Sequence, residues 1–164
     1  MIQMLSRTVF AIAVIALMSN YSSFAATKTE IPAAVLQAFA KAYPTVNISG
    51  YDKEAEGGKL HYEIQSKVDG REENYVYLED GTLLQIETDI PREALPKAVV
   101  QALIAIDKDA RIIEAERITR GLTIEYEVVI ISVKQKRELL LAADGKLLPS
   151  DTEDDDTDST EADD

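Results

Sequence analysis

The 164-residue chain has no cysteine and a single histidine, His61. Without cysteine there is neither a disulfide nor a lipid-modified thiol, nor a thiolate nucleophile or metal ligand. With one histidine, serine or threonine catalysis lacks its usual base, and a zinc site lacks converging ligands. Clustered lysine and arginine are also missing. The formal net charge is -13, and the last stretch, residues 151–164, holds nine acids and no base. The remainder after the leader carries 16 Lys and Arg against 21 Asp and Glu. Nucleic-acid binding, which depends on basic clusters, has no electrostatic support. Long hydrophobic runs are absent too: the apolar stretch from Val9 to Met18 is about half the roughly 20 residues a membrane span needs.

That short run has the grammar of a secretory leader. Arg7 closes a basic n-region, the apolar stretch follows, and small residues precede Ala26. Cleavage after Ala25 places Ser23 and Ala25 where signal peptidase needs small side chains, so residues 1–25 are expected to be removed. A periplasmic or extracellular, soluble product with no stable membrane span is the expectation.

The remaining chain matches itself at an offset of 64. Pro32 falls on Pro96, and Ala34, Val35, Gln37 and Ala38 fall on Ala98, Val99, Gln101 and Ala102. Further along, Ile48 meets Ile112, Gly57 meets Gly121, Tyr62-Glu63 meets Tyr126-Glu127, and Asp80-Gly81 with Leu83-Leu84 meets Asp144-Gly145 with Leu147-Leu148. Each copy begins with a helix whose first turn carries the proline. Apolar stripes follow: Val35, Ala38, Phe39, Ala42 and Tyr43 in one copy, Val99, Ala102, Leu103 and Ile106 in the other. Pro44 ends the first helix, and the charged stretch Asp107 to Asp109 ends the second.

Alternation of Leu60, Tyr62 and Ile64 with His61, Glu63 and Gln65 predicts a strand with one buried face, as does the counterpart through Tyr126. Tyr62 and Tyr126 should both be buried against the helices. The Asp-Gly pairs at 80–81 and 144–145 predict tight I′ hairpin turns. Earlier strands around 46–54 and 111–119, linked onward through Gly57-Gly58 and Gly121, complete each unit. The fold expected is α+β: two tandem α-β-β-β-β repeats, residues 26–89 and 90–150, with one continuous sheet or two packed against one helix per repeat. Residues 151–164 form an acidic tail expected to be disordered.

The tandem unit, the Ile-Pro or Leu-Pro start, the Tyr-Glu strand and the Asp-Gly-x-Leu-Leu hairpin together resemble the PepSY-like proteins, secreted bacterial domains similar in fold to β-lactamase inhibitory protein. The resemblance spans roughly residues 27–150. It implies a non-catalytic periplasmic or extracellular module that binds, and in some cases inhibits, another protein. The inhibitor's disulfides are missing here and none of its binding motifs is recognisable, so no site residue carries over.

The residues themselves offer no catalytic constellation. His61 lies on the polar side of its strand and corresponds to Glu125 in the other copy, which marks it as an interchangeable surface group. Glu63 and Glu127 recur beside the same tyrosine and are expected to face solvent in cross-strand salt bridges. Gly57-Gly58 lacks the flanking glycines or lysine of a phosphate loop. In the tail, Asp154, Asp156 and Asp158 match the first calcium-loop positions, but Ser159 replaces the turn glycine and the chain ends before a twelfth residue. Weak association of divalent cations with the tail is all it supports, and no bound cofactor is expected.

The copies differ most where Gln65, Lys67 and Asp69 in the first are replaced by Val129, Ile131 and Val133 in the second. At roughly 25 cal/mol per Å², an apolar stripe is costly to leave in water. Either the first copy covers it or it is a partner surface, so Val129, Ile131 and Val133 are the candidate site. The reading is a secreted, non-enzymatic binding module for another protein or a cell-envelope component. The alternative is a cation-responsive envelope protein acting through its tail.

Overall fold

A computed structural model describes residues 22–56, 59–132 and 135–149. Most of the expected leader, the Gly57-Gly58 link, Val133 and the acidic tail lie outside the described residues. The chain runs β1 (Ser22–Ala25), α1 (Ala33–Ala42), β2 (Ile48–Glu56), β3 (Lys59–Val68), β4 (Arg71–Leu78), β5 (Leu83–Asp89), α2 (Lys97–Ile106), β6 (Arg111–Arg120), β7 (Thr123–Ile131) and β8 (Lys136–Ala142). All eight strands form one antiparallel sheet whose spatial order is the chain order. The fold is α+β.

The prolines stand one position before the first turn expected for them. Pro32 and Pro96 sit at the N-caps with φ of -55° and -57°, so their missing N–H leaves no helical bond unmade. Tyr43 closes α1 by donating its N–H to the Phe39 carbonyl at 2.8 Å, and Pro44 follows. Val35 and Phe39 of α1 are buried with Tyr62, Ile64, Tyr75 and Tyr77. Val99 and Leu103 of α2 are buried with Val128, Ile130 and Leu141. Burying each such side chain contributes about 1.5–3 kcal/mol. Tyr62 is buried as expected, whereas Tyr126 is half-buried at the margin of the second cluster. At the ends of the predicted stripes, Ala42 and Ile106 are exposed.

Register shows that both helices lie on one face. Tyr75 pairs with Ile86, Ile86 with Thr119, Thr88 with Arg117, and Arg117 with Tyr126. Directly opposed residues point to the same side of a sheet, so the two cores share a face. Among the described residues no element covers the other.

The turns differ from the expectation. Gly81 and Gly145 have φ of +86° and +87°, but Asp80 and Asp144 remain at negative φ, which a I′ turn does not allow. Each glycine N–H instead closes a turn from three residues back, to Leu78 O at 3.0 Å and Ala142 O at 2.9 Å. The aspartate Oδ1 accepts from the N–H two residues on, at Thr82 and Lys146. The I′ geometry occurs at Asp69-Gly70, both at positive φ between the paired Val68 and Arg71. After β8, only a single bridge joins Leu141 to Leu147 where a further strand was expected.

Gly81 and Gly145 also lie against the helices. A Cβ on Gly81 would sit 2.8 Å from the Ala34 carbonyl oxygen, and one on Gly145 2.5 Å from that of Ala98. At Gly70 and Gly121, also at positive φ, nothing lies within 4 Å. Alanine at 81 or 145 therefore adds a clash to backbone strain, and each change should lose roughly 2–4 kcal/mol in urea unfolding. Alanine at 70 or 121 should lose roughly 1–2 kcal/mol. A second expectation concerns Tyr77, whose hydroxyl is buried without a hydrogen-bond partner. An unsatisfied buried hydroxyl is costly, so Tyr77→Phe should raise stability by about 1 kcal/mol in the same measurement.

Candidate functional site

The strand alternation that sends Tyr62, Ile64, Val128 and Ile130 to the helices sends Glu63, Gln65, Glu127 and Val129 to the open face. There, register places acids abreast. On one transverse row Asp89 of β5 opposes Glu116 of β6, and Glu116 opposes Glu127 of β7. On β8, Leu140 opposes Glu127 and Glu138 opposes Val129, so Glu138 lies diagonal to Glu127. Glu87 occupies the next row between Asn74 and Ile118. Toward β2, Glu63 opposes Asp52, and Glu54 opposes His61. Like charges opposed across a ladder repel, and no described lysine or arginine separates Asp89, Glu116 and Glu127 along their row.

Burial and repulsion act together on these groups. The Glu116 carboxyl is pushed up to about 9, first by burial, then by Glu87, Glu127 and Asp89, with a hydrogen bond to Asp89 holding the proton. Burial likewise raises Glu127, helped by Glu138 and Glu87 and opposed by Arg120. Glu138 is raised by burial, against the pull of Lys136. A hydrogen bond joins these two carboxyls. Glu63 rises to about 7, through burial and then Glu87. Neutral donors moderate the field: Gln65 Nε2 donates to Glu63 at 3.0 Å and Gln85 Nε2 to Glu87 at 2.6 Å. The Arg120 guanidinium is tethered by Gln85 at 2.7 Å and by Glu125 at one border of the ladder. Lys67 and Lys136 lie toward the opposite border.

Asn74 sits between Gln65 and Glu87, only 7% exposed, and its carboxamide is engaged by no described side chain or backbone group. Among the described residues no three His, Cys, Asp or Glu are grouped to hold a metal ion. The carboxylates form a row, not a chelate.

Among the described residues the expected salt bridges of Glu63 and Glu127 do not form. Their cross-strand partners include Asp52 and Glu116, and both residues are half-buried. His61 does lie on the polar face, half-buried opposite Glu54 and Leu78. Val129 and Ile131 lie on this same face, beyond the ladder. Val129 is buried, flanked across the strands by Glu114 and Glu138, and Ile131 is 37% exposed. The first half of the chain does not pack over them, because it continues the same sheet sideways. Glu116, Glu87 and Glu138 were not singled out from the sequence. The available signal was Gly121: a two-residue turn at Gly121-Leu122 sets Arg120 against Thr123 and therefore Glu116 against Glu127.

A carboxyl raised above its unfolded value binds its proton more tightly in the folded chain. Its stabilising contribution is complete below the unfolded pKa and is lost as pH rises through the folded one. For Glu63 and Glu116 that window runs from about 4.5 to about 7 and 9 respectively. The thermal midpoint should therefore fall between pH 6 and pH 9, and Glu116→Gln should flatten that fall. Calorimetry across this range checks both, and an unchanged slope in the variant would show that Glu116 does not carry the effect.

No protein-family profile matches the chain, and no curated protein matches it. Solved structures share its fold. A Bacteroides eggerthii protein, provisionally described as periplasmic, superposes with a TM-score of 0.61 at 19% identity, covering 72% of this chain and 86% of its own. A DUF2874 family protein from Bacteroides uniformis gives 0.61 at 18% identity with the same coverage. A BLIP-like protein from Bacteroides fragilis gives 0.57 at 24% identity, covering 77% of this chain and 91% of its own. By fold, the chain is similar to BLIP-like and DUF2874 family proteins.

Proposed function

We propose that the chain is a secreted, non-catalytic binding module of the bacterial periplasm whose protein partner docks on the sheet face opposite the helices. The observation that carries this reading is the face itself: it crosses the whole sheet, no described element covers it, and it combines a half-buried carboxylate ladder with the apolar Val129 and Ile131. Similarity in fold to a BLIP-like protein and to a protein provisionally described as periplasmic supports both the class and the compartment, as does the leader-like N-terminus. Cleavage after Ala25 would remove β1 and leave seven strands. No described helix is long and apolar enough to cross a membrane.

The same reading takes residues 26–89 and 90–150 as two copies of one unit. Supporting it, Gly81 and Gly145 share their positive φ and approach Ala34 and Ala98, each pair 64 positions apart. The second copy would have lost its fourth strand to the single bridge at Leu147.

Ile131 is exposed enough to change without unfolding the chain. Ile131→Lys should keep the parental thermal midpoint yet lose the proteins that the mature chain retains from a periplasmic extract. A chain lacking residues 151–164 should retain them, which separates this reading from one in which the tail is the working part. Equal retention by the Ile131→Lys variant, or loss of retention with the tail alone, would overturn the reading.

A further inference from the structure

Resting on that reading, we infer that the open face docks a cationic, arginine- or lysine-rich segment of the partner, and that docking expels protons held by the carboxylate ladder into solvent. Geometry supplies the argument. Strands lie about 4.8 Å apart, so from β5 to β8 the acids Asp89, Glu116, Glu127 and Glu138 span roughly 14 Å, wider than one small ion can bridge. No three of them, among the described residues, are grouped for a metal. A guanidinium, by contrast, donates five N–H bonds in one plane and can pair with two carboxylates, and a segment bearing several would match several rows. Asn74, almost fully buried beside Glu87 with its carboxamide unengaged, offers a neutral donor and acceptor on the row next to the ladder. The chain's own tail is a poor occupant, because its nine acids would meet acids.

Every charge facing the ladder bears on the proton step. Glu116 meets Asp89 and Glu87 from β5 and Glu127 from β7. Glu127 meets Glu138 from β8, and Arg120 from β6 is the nearest compensating cation. Glu114 and Lys136 flank Glu138 with opposite effects, while Glu63 meets Asp52 and Glu54 from β2 and Glu87 from β5. With acids outnumbering bases on all sides, the free face holds protons on some of its carboxyls at neutral pH. An arriving cation favours the ionised form. Each carboxyl that ionises gives its proton to the buffer and leaves a carboxylate paired with the incoming cation, so charge balances.

Aspartate and glutamate at their ordinary pKa values are ionised at pH 7, so residues 151–164 are expected to add nothing to the release. Isothermal titration of the full mature chain with hexaarginine, in phosphate and in Tris at pH 7, reads the protons released. About one or more per complex is expected, with affinity tightening by about tenfold per pH unit for each proton expelled. Glu116→Gln with Glu127→Gln keeps the size and neutrality of the protonated groups and should fold. It should bind more weakly and release markedly fewer protons, whereas removal of residues 151–164 should leave the release intact. Binding without proton release, or release unchanged in the double variant, overturns the inference while leaving retention by the open face standing. Calcium chloride alone producing the same release would make the ladder a divalent-cation site and would also overturn it.

Discussion

The backbone ladder between β5 and β6 joins the two halves of the chain. Four residue pairs, Ile86 with Thr119 through Asp89 with Glu116, turn what could be two sheets into one. The same ladder fixes the phase of everything beyond it, because one residue of slip would exchange the two faces of every later strand. With this phase, Ala115, Val128, Ile130 and Leu141 meet α2, and Glu116, Glu127 and Glu138 go to the open side. The second core and the carboxylate ladder are thus two results of one register.

Buried carboxyls of like charge oppose folding when all are ionised. The chain tolerates them because a proton can serve as counter-ion near neutrality: Glu127 is hydrogen-bonded to Glu138, and Glu116 to Asp89. Exposed ion pairs elsewhere, such as Lys53 with Glu30 at 2.7 Å, are ordinary surface features by comparison.

Much of the fold was legible because local signals sufficed. Proline at the helix starts, stripes at three and four residues, and alternation through Tyr62 and Tyr126 each depend only on nearby sequence. The turn type at Asp80-Gly81 was misread since Asp-Gly serves equally in a turn that uses glycine alone at positive φ, with the aspartate capping the amide two residues on. Glu63 and Glu127 were correctly assigned to the polar side, but what stands beside them is decided by register between strands, which a face assignment does not contain. Val129 and Ile131 were singled out through their divergence from Gln65 and Lys67. The acids around them were passed over because Asp and Glu are abundant throughout the chain.

Spatial order that equals chain order has a kinetic consequence. Each ladder except β1–β2 and β5–β6, which enclose α1 and α2, closes a loop of only a few residues, so little chain entropy is lost before a hairpin gains its bonds. Sheets dominated by distant pairings fold slowly and expose their edges meanwhile. Here structure can accumulate from the N-terminal side hairpin by hairpin as the chain lengthens.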